Sequence, residues 1–184
     1  MAEMPVGILV FPGGEIKGET DINVQFRNAK NPGSQLSTKD GLDLLSYSFS
    51  GNTAGSSQAV GGLAGGKVEL QQFHFSKKLD KATANLFQYL CTAKMIKEAH
   101  FVVLRQATKG GDQESNLETY YSYCFTNLII SSYSTGGSPG DDGRPHEDCS
   151  FAFEQFDHVW GAQKADQVGG WVKCFYNQKT QVGG

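Results

Sequence analysis

The sequence predicts a mainly β chain: a β-barrel of antiparallel strands with one flanking α-helix and extended loops. Three observations carry this. Glycine occupies 23 of 184 positions, against a usual share near 7%, and the glycines cluster between strand-like segments. The apolar runs are short, and none approaches the ~18 residues of a membrane span. The third observation is the stretch 117–138, LETYYSYCFTNLIISSYSTGGS, dominated by residue types that fit a pleated surface and closed by a Gly-Gly turn. As one strand, residues 117–135 would reach roughly 60 Å at ~3.3 Å per residue, beyond the usual strand length. The segment must therefore bend. The polar pair Thr126-Asn127 is the expected corner, letting it serve two sheets or two sides of a barrel.

At this length, residues 1–184 are expected to form a single domain with a substantial core. A net charge of −3 and a pI near 5.8 give no electrostatic footprint for nucleic acid. The opening MAEMPVGILVFPGG has neither a basic start nor a cleavable apolar core, so no Sec-type signal peptide is expected. Cys91, Cys124, Cys149 and Cys174 fall in no CxxC or zinc spacing. They are read as buried, reduced thiols of a chain that folds in the cytosol.

In chain order, residues 6–11 (VGILVF) form a short apolar strand ended by Pro12-Gly13-Gly14, and 15–20 (EIKGET) a polar edge segment. Residues 21–40 are turn-rich around Asn31-Pro32-Gly33 and are expected to elaborate the barrel rather than build its core. Residues 42–50 and 67–75 (KVELQQFHF) each read as a strand whose apolar positions slip phase, the former near Leu44-Leu45. Such slips mark bulges. Between them, residues 51–66 (GNTAGSSQAVGGLAGG) form a long loop without a single charge. A loop of this length and composition is best explained if it orders against a partner, so Ala59, Val60, Leu63 and Ala64 become candidate subunit-interface residues.

Residues 80–95 predict a helix. Asp80 stands as its cap; Ala82, Leu86, Leu90 and Ala93 form the apolar stripe, with Phe87 and Cys91 widening it. The helix should close an end of the barrel. Residues 100–105 form a strand and 107–115 a hairpin turn. Residues 139–146 are loop, 149–163 a bent strand with Phe151 and Phe153 slipping to Phe156, and 171–176 the last strand before a polar tail.

Little points to chemistry. GGLAGGKV, residues 61–68, nearly matches a phosphate-binding loop, but Val68 stands where a hydroxyl is needed and a strand follows where a helix must open. Asp141, Asp142, Glu147 and Asp148 around His146 read as a solvated acidic loop, because their spacing does not supply a calcium loop. His74 and His158 read as structural or surface residues. No serine sits in a nucleophile elbow, and no Cys–His pairing follows from spacing. No enzyme activity, cofactor or metal is expected.

Several segments together resemble one family. IKGET (16–20), GGKVEL (65–70), FHFSKKLDKATANL (73–86), SSYSTGGS (131–138), EDCSFAFEQF (147–156) and QKADQ (163–167) occur in the order and spacing of the haemolysin-coregulated protein family, Hcp. The resemblance spans residues 4–180. It departs at 21–40, which is longer, and after Ser138, where PGDDGRP is extra. The resemblance implies a barrel subunit of a type VI secretion system tube, forming homohexameric rings that stack. The implied partners are copies of itself, a spike protein, a contractile sheath and effectors, with export that needs no signal peptide and no membrane insertion. Two other readings remain open: a tail-tube subunit of a phage-like contractile particle, and a β-barrel that binds a small ligand.

Overall fold

In the computed structural model, which describes residues 4–56, 64–107, 116–137, 145–163 and 168–184, six strands close into an antiparallel barrel. They are β1 (Gly7–Val10), β4 (Leu42–Ser48), β7 (Phe73–Lys78), β8 (Ile96–Ala107), β9 (Asn116–Gly136) and β10 (His146–Gln163). Around the barrel the order is β1, β4, β7, β10, β9, β8 and back to β1. The remaining strands are β2 (Gln25–Arg27) with β3 (Gln35–Ser37), β5 (Gly51–Ser56) with β6 (Ala64–Leu70), and β11 (Val168–Asn177) with β12 (Val182–Gly183). Among the described residues there is one helix, α1 (Thr83–Thr92).

Two long strands make closure possible. β10 pairs with β9 from His146 to Trp160, while its other edge pairs first with β7 and then, from Gln155, with β11. β9 pairs with β8 only as far as Leu128. At that point Asn127 takes a left-handed conformation, φ 52°, a conformation asparagine tolerates better than most residues. The Thr126-Asn127 pair is thus where β9 departs from regular extended backbone. An extra residue, Ser131, is accommodated between the pairs Ser150–Ser132 and Phe151–Ile130.

The barrel interior is aromatic. Phe73, Phe75, Phe101, Phe125 and Phe151 are buried, and Phe73 packs on Phe125 and Phe151 at 5.0 and 5.1 Å between ring centroids. These are favourable ring separations. Ala82 at the N-cap and Leu86 and Tyr89 of α1 join the same core, so the helix covers barrel residues as the stripe predicts. The stripe is displaced, however: Phe87, Cys91 and Ala93 are exposed. The helix also starts later than residue 80. Asp80 accepts from the Ala82 N–H at 2.8 Å in the preceding turn and does not cap the first helical turn directly.

Both faces of β1 are buried. Leu9 points into the aromatic core, whereas Ile8 and Val10 join Val102 and Phe26 in a second cluster on the outside. Residues 21–40 supply that outer cover, as an elaboration on the barrel. The buried Thr38 hydroxyl holds the cover together by donating to the Ile22 carbonyl at 2.6 Å and accepting from the Val24 N–H at 2.8 Å. The EIKGET segment is not a strand. Its Gly18 and Thr20 N–H groups bond the carbonyls of Asp40 and Gly41, and a side chain at 18 would meet the Gly41 carbonyl oxygen, which is why glycine stands there.

The bulge expected near Leu44-Leu45 is present as a register shift between Leu44 and Ser46. Residues 67–75, by contrast, are not one bulged strand. They are the end of β6 and the start of β7, divided at Gln71-Gln72 and belonging to different sheets. The C-terminal tail is not merely polar, since β12 pairs back onto β11.

Candidate assembly surface

The hairpin β5–β6 is the element least accounted for by the rest of the chain. Its base is fixed by the Gln71 N–H donating to Ser50 O at 2.8 Å, and by Phe49 and Leu70 packing on the barrel core. Beyond that base the pairing runs Gly51–Leu70, Asn52–Glu69, Thr53–Val68 and, past an irregularity, Gly55–Gly65 and Ser56–Ala64. The hairpin forms a two-stranded sheet of its own, and the arms' main contacts are with each other. Arms of six or seven residues reach about 20 Å at ~3.3 Å per residue. A lone two-stranded hairpin is marginally stable in water.

Residues 51–66 are therefore not loop throughout; their outer portions are strands. Ala59, Val60 and Leu63 lie outside the described residues, and Ala64 opens β6 opposite Ser56. Val68, the hydroxyl-lacking position of the near-motif, lies within strand β6, so no helix opens there.

A second apolar surface lies where β9, β10 and β11 run on past the end of β7. Val172 is 61% exposed and pairs with Trp160, which is 39% exposed and also faces Tyr121 across to β9. A groove of about 260 Å³ crosses the barrel wall between Ser46, Ser48, His74, Ser132, Ser134 and Asp148. It is open and lined by hydroxyls, with Ser150 hydrogen-bonded to Ser131, Ser132 and Gln72 beside it.

The acidic-loop expectation is corrected. His146, Glu147 and Asp148 begin β10, and Glu147 is fully buried opposite Lys77 at 2.8 Å. Lys77 also meets Asp80 at 2.6 Å, and the Thr83 hydroxyl donates to Glu147 at 3.1 Å. The charge is inside because it has partners on β7 and at the helix entry. Burial, followed by the adjacent Glu147 carboxylate, pushes the Tyr133 hydroxyl up to about 12. Asp141 and Asp142 lie outside the described residues.

The thiols divide: Cys124 and Cys149 are buried and Cys91 and Cys174 exposed, all four free. Burial pushes Cys124 and Cys149 up to about 12. The fold brings Cys174 Sγ within 3.7 Å of His158 Nδ1, a pairing that spacing could not show. His158 packs against the Tyr121 and Tyr123 rings, with 4.6 Å to each. Burial raises the thiol and lowers the imidazole. Both shifts favour neutral partners, the reverse of the thiolate–imidazolium pair a cysteine nucleophile needs.

Sequence reasoning also missed His100, wholly buried, whose Nε2 lies 2.6 Å from Glu98 Oε1. That hydrogen bond holds the Glu98 carboxyl below its ordinary value. Lys30 Nζ stands 3.6 Å from the other Glu98 oxygen.

A closed six-stranded antiparallel barrel with an aromatic interior, a covered outer wall and a projecting hairpin defines a β-barrel protein. Residues 16–160 match the family model described as type VI secretion system effector, Hcp. The chain is 31% identical over 164 residues to the protein hcp1 of Pseudomonas aeruginosa, covering 88% of this chain and 97% of that one. It belongs to the Hcp family of type VI secretion. In fold it is similar to a type six secretion system protein (TM-score 0.78, 18% identity, 97% of this chain and 98% of that one). It is likewise similar to Hcp1 from Salmonella typhimurium (TM-score 0.68, 24% identity, 95% of each chain).

Proposed function

We propose that this chain is a structural tube subunit of a type VI secretion system, closing into homohexameric rings that stack into a hollow conduit. The observation that carries this reading is the β5–β6 hairpin, a two-stranded sheet separate from the barrel and anchored to it at its base by Phe49 and Leu70. Its folded form needs a neighbour. Ala59, Val60, Leu63 and Ala64 are assigned to that contact, in a ring whose heterologous interface joins one patch to a different patch on the next copy. The spike, sheath and effectors remain the proposed external partners. Export without a signal peptide follows from the same reading, as does the absence of enzyme activity; the neutral Cys174–His158 pair supports the latter.

The ligand-binding alternative is weakened by an interior filled with phenylalanine rings rather than a polar constellation. The test is deletion of residues 54–63, with size-exclusion chromatography, light scattering and negative-stain microscopy. Full-length protein should give rings and stacks, and the deletion should lose them while keeping the barrel's thermal transition. Unchanged assembly by the deleted chain would refute the assignment.

A further inference from the structure

Glu98, His100 and Cys124 lie on the outer face of the β8–β9 pair, beneath the segment that carries Phe26, Ala29 and Lys30. Glu98 and His100 are two apart on β8, so both point the same way, and His100 is the register partner of Cys124 on β9. One ligand atom from each comes within 4.8 Å of the others. Cys124 clusters with Ala29 and Val159, and the Phe26 ring lies 5.6 Å from the His100 ring. The cluster is thus covered by the 21–40 layer.

His100 is odd on ordinary packing grounds. Its Nε2 is bonded to Glu98, but its Nδ1 is enclosed with no hydrogen-bond partner. A buried polar atom left without a partner is costly and calls for a physical reason. A metal ion bound at Nδ1 supplies that partner, whereas one at Nε2 would leave Nδ1 orphaned, so Nδ1 is the ligating atom and the Glu98 carboxylate turns from Nε2 to the ion.

We propose that Glu98, His100 and Cys124 form a zinc-class divalent metal site that clasps the 21–40 layer to the barrel wall. Thiolate, imidazole and carboxylate are the donor set zinc accepts, and three protein ligands leave a fourth position for water. At zinc's bond lengths, ligand atoms sit about 3.3–3.6 Å apart. The separations among the three reach at most 4.8 Å, so the longest must close by roughly 1 Å, which side-chain torsions accommodate. Glu98 is partly exposed, so the ion has a way in. Lys30, on a long and half-exposed stem, gives up its contact with Glu98 when the ion arrives. Binding displaces one proton from the Cys124 thiol, because only the thiolate ligates.

The test uses the full chain and cobalt(II) alone as the probe, then zinc. One equivalent of cobalt should give tetrahedral d–d absorption with a sulfur-to-cobalt charge-transfer band, and zinc should abolish both by displacement. The band should persist in Cys174→Ala and Cys149→Ala and vanish in Cys124→Ala. Glu98→Gln, a change at a partly exposed position, should weaken zinc binding at least tenfold, keeping the idea testable if the buried variant fails to fold. Zinc should also raise the melting temperature of the natural chain and slow amide exchange in β2 and β3. No thiolate band, a band that survives loss of Cys124, or zinc affinity indifferent to Glu98→Gln would each overturn the site.

Discussion

Lys77 and Glu147 face each other across β7 and β10 with essentially no solvent contact. A buried pair is weak evidence of net stabilisation, but breaking one leaves an uncompensated charge in a poor dielectric. Glu147→Leu or Lys77→Met alone should therefore lower unfolding free energy by about 3–5 kcal/mol. Lys77→Met with Glu147→Leu together should cost far less than the sum of the two single changes. Urea titrations of the four proteins form the cycle, and additive losses would show that the pair acts as two independent residues. This contact was not legible in the sequence. Glu147 follows Pro-Gly-Asp-Asp-Gly-Arg-Pro-His, which looks like solvated loop, and its partner is seventy positions away. The phenylalanines were legible because alternation alone places them inward, whereas His100 required the 21–40 layer to be in place before its burial meant anything.

At the scale of elements, what could be read was periodicity, and what could not was where one period ends. The slip at Leu44-Leu45 marked a real bulge because both halves stay on one strand. The identical-looking slip in 67–75 marked two strands of different sheets, since a change of phase does not say whether the hydrogen-bonded partner changes too. For α1, spacing located the stripe's centre at Leu86 but not its width: tertiary packing selected Tyr89 and left Phe87 outside. The helix ends at Ala93 with φ 47°, its N–H bonded to the Leu90 carbonyl. A left-handed conformation costs a residue bearing a Cβ about 1 kcal/mol relative to glycine. Ala93→Gly is exposed at a C-cap and outside the regular helix, so it should raise stability by up to about 1 kcal/mol, read as a higher urea midpoint at unchanged slope. A loss of stability would mean that glycine's greater freedom in the unfolded chain outweighs the relieved strain.

The whole molecule is organised as two nested layers on one wall. The aromatic core inside the barrel and the Ile8–Val10–Phe26–Val102 cluster outside it share strands β1 and β8 but not side chains. The barrel class was legible from composition and strand patterning, and its closure through β9–β10 was foreshadowed by the length of residues 117–138. The sequence did not show that β10 exchanges β7 for β11 along one edge, because neighbour choice is decided by contacts between distant segments. Nested layers should fail separately. Phe151→Ala opens a cavity in the inner core and should cost about 3–5 kcal/mol of global stability, lowering exchange protection in every barrel strand together. Phe26→Ala removes the main anchor of the outer layer, and its cost should appear first as local opening. Amides of β2 and β3, and the Val24 N–H held by Thr38, should exchange faster while those of β7 and β10 keep their protection. Native-state hydrogen exchange resolved by peptide distinguishes the outcomes. Equal loss of protection in β7 and β10 after Phe26→Ala would show one cooperative core, with the 21–40 layer as integral to the barrel as its own strands.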